Sequence, residues 1–186
     1  IDQRNAGAAI TPTVSNTYGP DRFVFYLSQA SKFSAQQSST APTGFSNSLL
    51  ITSLSAYTVG ASDYFLIQQR VEGFNSADLA WGTASAATVT LSFWVRSSLT
   101  GTFSGAIGNS ANSRTYAYTY TISSANTWEQ KTITIPGDTT GTWVGATNGI
   151  GIVLGWSLGT GSSQNITAGT WTAGNYNGAT GTTSVV

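Results

Sequence analysis

The chain has 186 residues, seven of them Lys or Arg and seven Asp or Glu, for a formal net charge of zero at neutral pH. Charged residues make up only 8% of it, against roughly 25% in an average protein. Without a basic run, nucleic acid is not an expected partner, because neutralising phosphates takes clustered cations. No apolar run approaches the roughly 18 residues of a membrane span, so no membrane insertion is expected. Cys, His and Met are absent. Disulfides therefore play no part, and the usual acid–base and metal-binding side chains are missing. With no Met at its start, the chain reads as a fragment or processed product of a longer one.

A hydrophobic fraction of 40%, with six Trp, eight Tyr and eight Phe, is enough for a substantial core. Taken in order, residues 22–27, 32–37, 48–53 and 64–73 are rich in β-branched and aromatic side chains and read as strands. Residues 76–81 have room for one short helical turn, and little else reads as helix. In 88–96 the alternation is plain. Val89, Leu91, Phe93 and Val95 share one face, and Thr90, Ser92, Trp94 and Arg96 the other, the period of a half-buried strand. Strands over 101–107, 114–122, 128–135 and 149–156 follow. Pro136-Gly137-Asp138, Asn148-Gly149 and Asn177-Gly178 mark turns where left-handed or φ-fixed backbone is expected. Residues 157–186 read as a long Gly/Ser/Thr-rich loop carrying Trp171 and Tyr176. About nine short antiparallel strands with turns between them predict one all-β domain over 1–186, a jelly-roll β-sandwich of two sheets.

Reactive chemistry has little support. Gly155-Trp156-Ser157-Leu158-Gly159 fits the G-x-S-x-G nucleophile elbow, but that motif needs a strand-to-helix turn and a base, and no His exists. It reads as a chance match. The acids show no alternation that would pair two carboxylates across a cleft; Glu72 and Glu129, on strands, read as solvated or Arg-paired. No enzyme activity is expected. Hard cations remain open because carbonyls and a few carboxylates suffice, with Asp2 or Asp21 as candidate ligands of a structural calcium. Asn165-Ile166-Thr167 is a glycosylation sequon that matters only in a secretory pathway.

The aromatics are more informative, since sugars bind by laying an apolar ring face on a flat side chain while amides and guanidinium groups bond the hydroxyls. Tyr116, Tyr118 and Tyr120 form a stripe on one strand face; a packed sheet face is favoured there over a polymer platform. Trp128 reads as a core anchor. Trp94 beside Arg96, opposite the apolar row, is a sugar-contact candidate. Trp81, Trp143, Trp171 and Tyr176 fall in expected loops, as contacts for a glycan or partner or as lids over the sandwich ends.

Three stretches carry a resemblance. They are Ile1-Asp2-Gln3-Arg4-Asn5-Ala6-Gly7 with Tyr18-Gly19-Pro20-Asp21-Arg22-Phe23; Gln69-Arg70-Val71-Glu72-Gly73 with Asp78-Leu79-Ala80-Trp81-Gly82-Thr83; and Thr90-Leu91-Ser92-Phe93-Trp94-Val95-Arg96-Ser97-Ser98 with Asn126-Thr127-Trp128-Glu129-Gln130-Lys131. Together they resemble phage and prophage tail-fibre-like virion structural proteins, whose jelly roll is similar to carbohydrate-binding modules. The resemblance implies a virion component on the particle surface, packed among other virion subunits as a homo-oligomer, a trimer being favoured, and touching host-surface glycan. Proteins of that group run on past a Thr-Thr-Ser-Val-Val-like stretch into another aromatic strand, which implies here a closing strand that is missing or supplied by a neighbouring chain. In the similar carbohydrate-binding jelly rolls, the first and last strands share a calcium ion, which would fall to Asp2. Two other readings stand beside this one: a carbohydrate-binding module of a secreted glycan-degrading enzyme, and a capsid decoration or head-fibre protein without a ligand.

Overall fold

The computed structural model describes residues 7–186; Asp2, the candidate calcium ligand, lies outside them. The described residues form thirteen strands and four single 3-10 turns. The nine expected strands appear as β2 (Val24–Leu27), β3 (Phe33–Ser38), β4 (Ser48–Ser53), β5 (Tyr64–Glu72), β6 (Val89–Val95), β7 (Gly101–Gly108), β8 (Arg114–Ile122), β9 (Glu129–Ile135) and β10 (Ile150–Thr160). The four additional ones are short: β1 (Thr17–Tyr18), β11 (Asn165–Ile166), β12 (Trp171–Ala173) and β13 (Gly178–Ala179). Two or three residues carry no measurable period, so pairing rather than pattern defines them. The expected helical turn over 76–81 is there as a 3-10 turn at Ala77–Leu79, preceded by another at Gly73–Asn75.

Seven strands make one sheet in the order β1-β2-β5-β10-β7-β8-β12, while β3 pairs with β4 and β6 with β9. The chain winds back and forth: β2 in the large sheet, β3 and β4 outside it, β5 back in, β6 out, β7 and β8 in, β9 out, β10 in. Its named pairings are antiparallel save for β11 with β13. That winding defines a β-sandwich whose second layer is two separate strand pairs. The β3–β4 pair covers Phe25, Leu27, Phe65, Ile67 and Leu158, contributing Phe33, Ala35, Leu49 and Ile51 to one apolar cluster. The β6–β9 pair lays Val89, Leu91, Ile133 and Ile135 over Ile107, Tyr116, Tyr118 and Ile152 in a second. Fully burying one such aliphatic or aromatic side chain contributes about 1.5–3 kcal/mol, so these two clusters hold the layers together.

The tyrosine stripe on β8 is the packed face. Tyr118 is 2% exposed and its hydroxyl donates to the Gly155 carbonyl at 2.8 Å. It reaches that carbonyl by lying over Gly105, where a Cβ would sit 2.4 Å from the phenol ring. Burial, and then the neighbouring Tyr120, hold its ionisation well above the ordinary tyrosine range.

Two expectations are corrected. Residues 157–186 are not one long loop: β10 continues through Thr160, β12 pairs with β8 at the sheet edge, and Val185 and Val186 pack against the first cluster. The left-handed backbone expected at Asn148-Gly149 and Asn177-Gly178 is absent, and Gly178 opens β13; Gly137 is not left-handed either, and Ala86 backbone lies 2.5 Å from where its Cβ would be.

Candidate functional site

Side chains alternate across a strand, so each strand of the large sheet has an inner row facing the second layer and an outer row facing away. On β5 the outer row is Tyr64, Leu66, Gln68 and Arg70. Beside it on β10 it is Val153, Gly155 and Ser157, and on β7 it is Ser104, Ala106 and Gly108. The register places Gln68, Gly155 and Ala106 side by side, and likewise Arg70, Val153 and Gly108. Small side chains along the two central strands leave the middle of this face low while larger groups stand at its margins. The result is a groove of about 440 Å³.

One wall comes from the sheet: Tyr26 on β2, with Tyr64 and Arg70 on β5. The opposite wall is Gln164, Asn175, Tyr176 and Asn177, from the segment after β10. That wall is fastened by hydrogen bonds rather than by apolar packing. The Asn177 N–H donates to the Gln164 carbonyl at 2.8 Å and its Nδ2 to Gln164 Oε1 at 2.6 Å. The Tyr176 N–H donates to Thr115 Oγ1, whose hydroxyl donates to the Gly174 carbonyl at 2.7 Å. At a strand rise of about 3.3 Å per residue, Tyr64 and Arg70 stand about 20 Å apart, so the groove suits an extended ligand.

The Asn109–Arg114 turn closes one end. Asn109 is buried and saturates the turn: its Oδ1 accepts the Ser113 and Arg114 N–H groups, and its Nδ2 donates to Ser113 Oγ and the Thr142 carbonyl. Arg114 turns away from solvent to a bidentate pair with Asp138, at 2.7 and 2.8 Å. Burial of Asp138 disfavours its charged form, but the Arg114 fork and the Thr140 donors outweigh that and hold the carboxyl below the usual range.

Arg70 is held differently. Its Nη1 donates to Tyr18 Oη at 3.0 Å and its Nη2 to Asn16 Oδ1 at 2.9 Å and to Tyr26 Oη, with the guanidinium carbon within 6 Å of both ring centres. Among the described residues no carboxylate pairs with it. Glu72, next on the same strand face, is taken by Arg22, and its carboxyl is lowered by a backbone hydrogen bond and then by that partner.

The sequence-derived candidates divide three ways. Only Tyr176 stands in the groove. Trp81, Trp143 and Trp171 meet edge to face, with ring centres 4.8 to 5.5 Å apart, as a lid over the second cluster. Trp81 is 7% exposed and its indole N–H donates to the Ala87 carbonyl; that of Trp171 donates to the Pro136 carbonyl and that of Trp143 to Asp138 and Thr140. The three rings pack edge to face on one another, with Trp143 and Trp171 half-buried. Trp94 is exposed on the far side of the sandwich, and Arg96 donates to the Asn126 carbonyl. Trp128, expected as a core anchor, is half-buried and belongs to neither apolar cluster.

The nucleophile-elbow pattern falls inside β10, with Ser157 Oγ 3.2 Å from Thr160 Oγ1 and no turn at the serine. Glu129 pairs with Lys131, as Glu72 does with Arg22, so both strand carboxylates are ion-paired. Sequence reasoning missed Tyr26, Tyr64, Gln68 and Arg70. The available signal was the run of small outer-row residues on two strands. No protein-family model, curated protein or solved structure matches the chain.

Proposed function

We propose that this protein is a phage virion structural component, tail-fibre-like or particle-decorating, that attaches to host-surface glycan through the groove on the outer face of its large sheet. The observation that carries the binding half is a groove with tyrosines and amides along both walls. Tyrosine rings supply flat apolar faces for pyranose rings, and Gln68, Gln164, Asn175 and Asn177 supply paired donors and acceptors for hydroxyls. The protein works by binding, without catalysis. The virion assignment rests on the resemblance and on the near-absence of surface charge. Exposed Phe45, Leu50 and Leu54, on or beside β4, support burial against neighbouring subunits. Each ring stack contributes on the order of 1 kcal/mol, so attachment draws its strength from several copies, as a trimer would provide.

The test is a glycan array probed with the intact oligomer. Retention of a defined glycan set is expected, lost in Tyr176→Ala and in Ala106→Leu, which fills the groove floor, and kept in Trp94→Ala on the far side. Silence across the array removes the attachment role. The same groove would serve a carbohydrate-binding module of a secreted glycan-degrading enzyme; a catalytic domain encoded in the same gene favours that reading, and neighbouring capsid and tail genes reject it.

A further inference from the structure

The groove has a sign as well as a shape. Its described lining includes two arginines and no carboxylate. Arg114 is neutralised by the buried Asp138. Arg70 is not: its three hydrogen bonds go to two phenol oxygens and one amide oxygen, all uncharged acceptors. A guanidinium has five N–H donors, so three are used and the Nε–H and one Nη1–H have no acceptor among the described residues. The half-buried guanidinium sits where the groove meets a second, smaller hollow of about 210 Å³, lined also by Tyr18, Arg22 and Glu72. Of the charges there, Arg22 and Glu72 cancel as a pair, leaving one net positive charge.

In a chain with so few ionic groups, a cation fixed on a groove wall by neutral acceptors is a placed feature rather than part of a general basic field. Its hydrogen bonds to Tyr18, Tyr26 and Asn16 pre-orient the fork, so little side-chain entropy remains to be lost when an anion docks. We propose that the groove selects acidic glycans, with Arg70 receiving a carboxylate or a phosphate or sulfate ester carried by the sugar. This rests on the groove being a glycan site. Tyrosines and amides read the sugar ring, and Arg70 reads its charge.

The experiment uses the intact protein on an array of matched pairs, each acidic glycan printed beside its neutral counterpart. It includes polygalacturonate beside its methyl ester and a glycerol-phosphate polymer beside a neutral polyol. The acidic members should be retained at least about tenfold more strongly, the worth of one charge-assisted contact, and rising salt should narrow the gap. Arg70→Gln should erase the preference, bringing each acidic member down to its neutral counterpart, whereas Tyr176→Ala should weaken both members of each pair and keep their ratio. Preference within the carboxylate pairs alone, or within the phosphate pair alone, identifies the anion. Equal retention of acidic and neutral members, or an acidic preference unmoved in Arg70→Gln, overturns the charge reading and leaves glycan binding intact. No retention of any glycan overturns both.

Discussion

Two aromatic groups on this sandwich look alike in sequence and behave oppositely in structure. Trp81 and Trp143 come from connecting segments and Trp171 from the edge strand β12; the three converge over Ile135 and Tyr116 and pack on one another. Tyr26, Tyr64 and Tyr176 stand around a groove whose floor includes Gly155, Ala106 and Gly108. What separates them is the size of the side chains underneath. Over large apolar residues an aromatic ring becomes part of the core; over small ones it becomes the rim of a hollow. Ring size is thus a poor guide to ligand contact on a β-sandwich, and the neighbouring strand's outer row is a better one.

The comparison breaks first at the lid. Trp81→Ala should lower stability by about 3–5 kcal/mol, the usual loss for a buried tryptophan, measured by urea unfolding with the slope unchanged. A loss below about 1 kcal/mol would mean that the trio is not part of the core. Next comes the ion pair beside it. Asp138→Asn leaves Arg114 half-satisfied in a buried site, and about 3 kcal/mol is expected, the low end for a broken buried pair because Arg114 keeps some solvent contact.

The same pair sets a pH dependence. The Asp138 carboxyl lies lower in the folded protein than in the unfolded chain, whose carboxylates titrate near ~4. Its contribution is therefore complete above about pH 5 and lost as acid protonates it in the folded state. The fall in melting temperature on acidification should be steeper in the native protein than in Asp138→Asn, and parallel curves would contradict the pairing. The smallest expected effect sharpens the other side of the comparison. Tyr176→Ala, on the groove rim, should change stability by no more than about 0.5 kcal/mol while removing glycan retention, so that stability and binding separate where the tryptophans would not let them.

The long strands were legible because their alternation is written locally: 48–53 and 114–122 match β4 and β8 end to end. Strands β1, β11, β12 and β13 were not, since a Thr-Tyr or a Gly-Ala pair becomes a strand only when a distant partner is in place. The groove was illegible for a related reason. Its two walls lie far apart in sequence, Tyr26 on one side and Asn177 on the other, and only the sheet order brings them together. The lid was half legible: the three tryptophans stand out in the sequence, but whether a ring faces solvent or another ring depends on where two loops and the edge strand β12 meet. Gly105 likewise looks like an interruption of β7 until Tyr118 is seen lying across it.

The wall of Gln164, Asn175, Tyr176 and Asn177 follows its floor in the chain by some distance, and hydrogen bonds rather than apolar contacts hold it down. During synthesis the floor strands leave the ribosome before the wall does, so the groove cannot be complete until that later segment has docked. A chain whose wall has not docked has the floor of the groove without the groove itself. Non-local pairing of this kind also forms slowly, so the framework precedes the groove in time as it does in the chain.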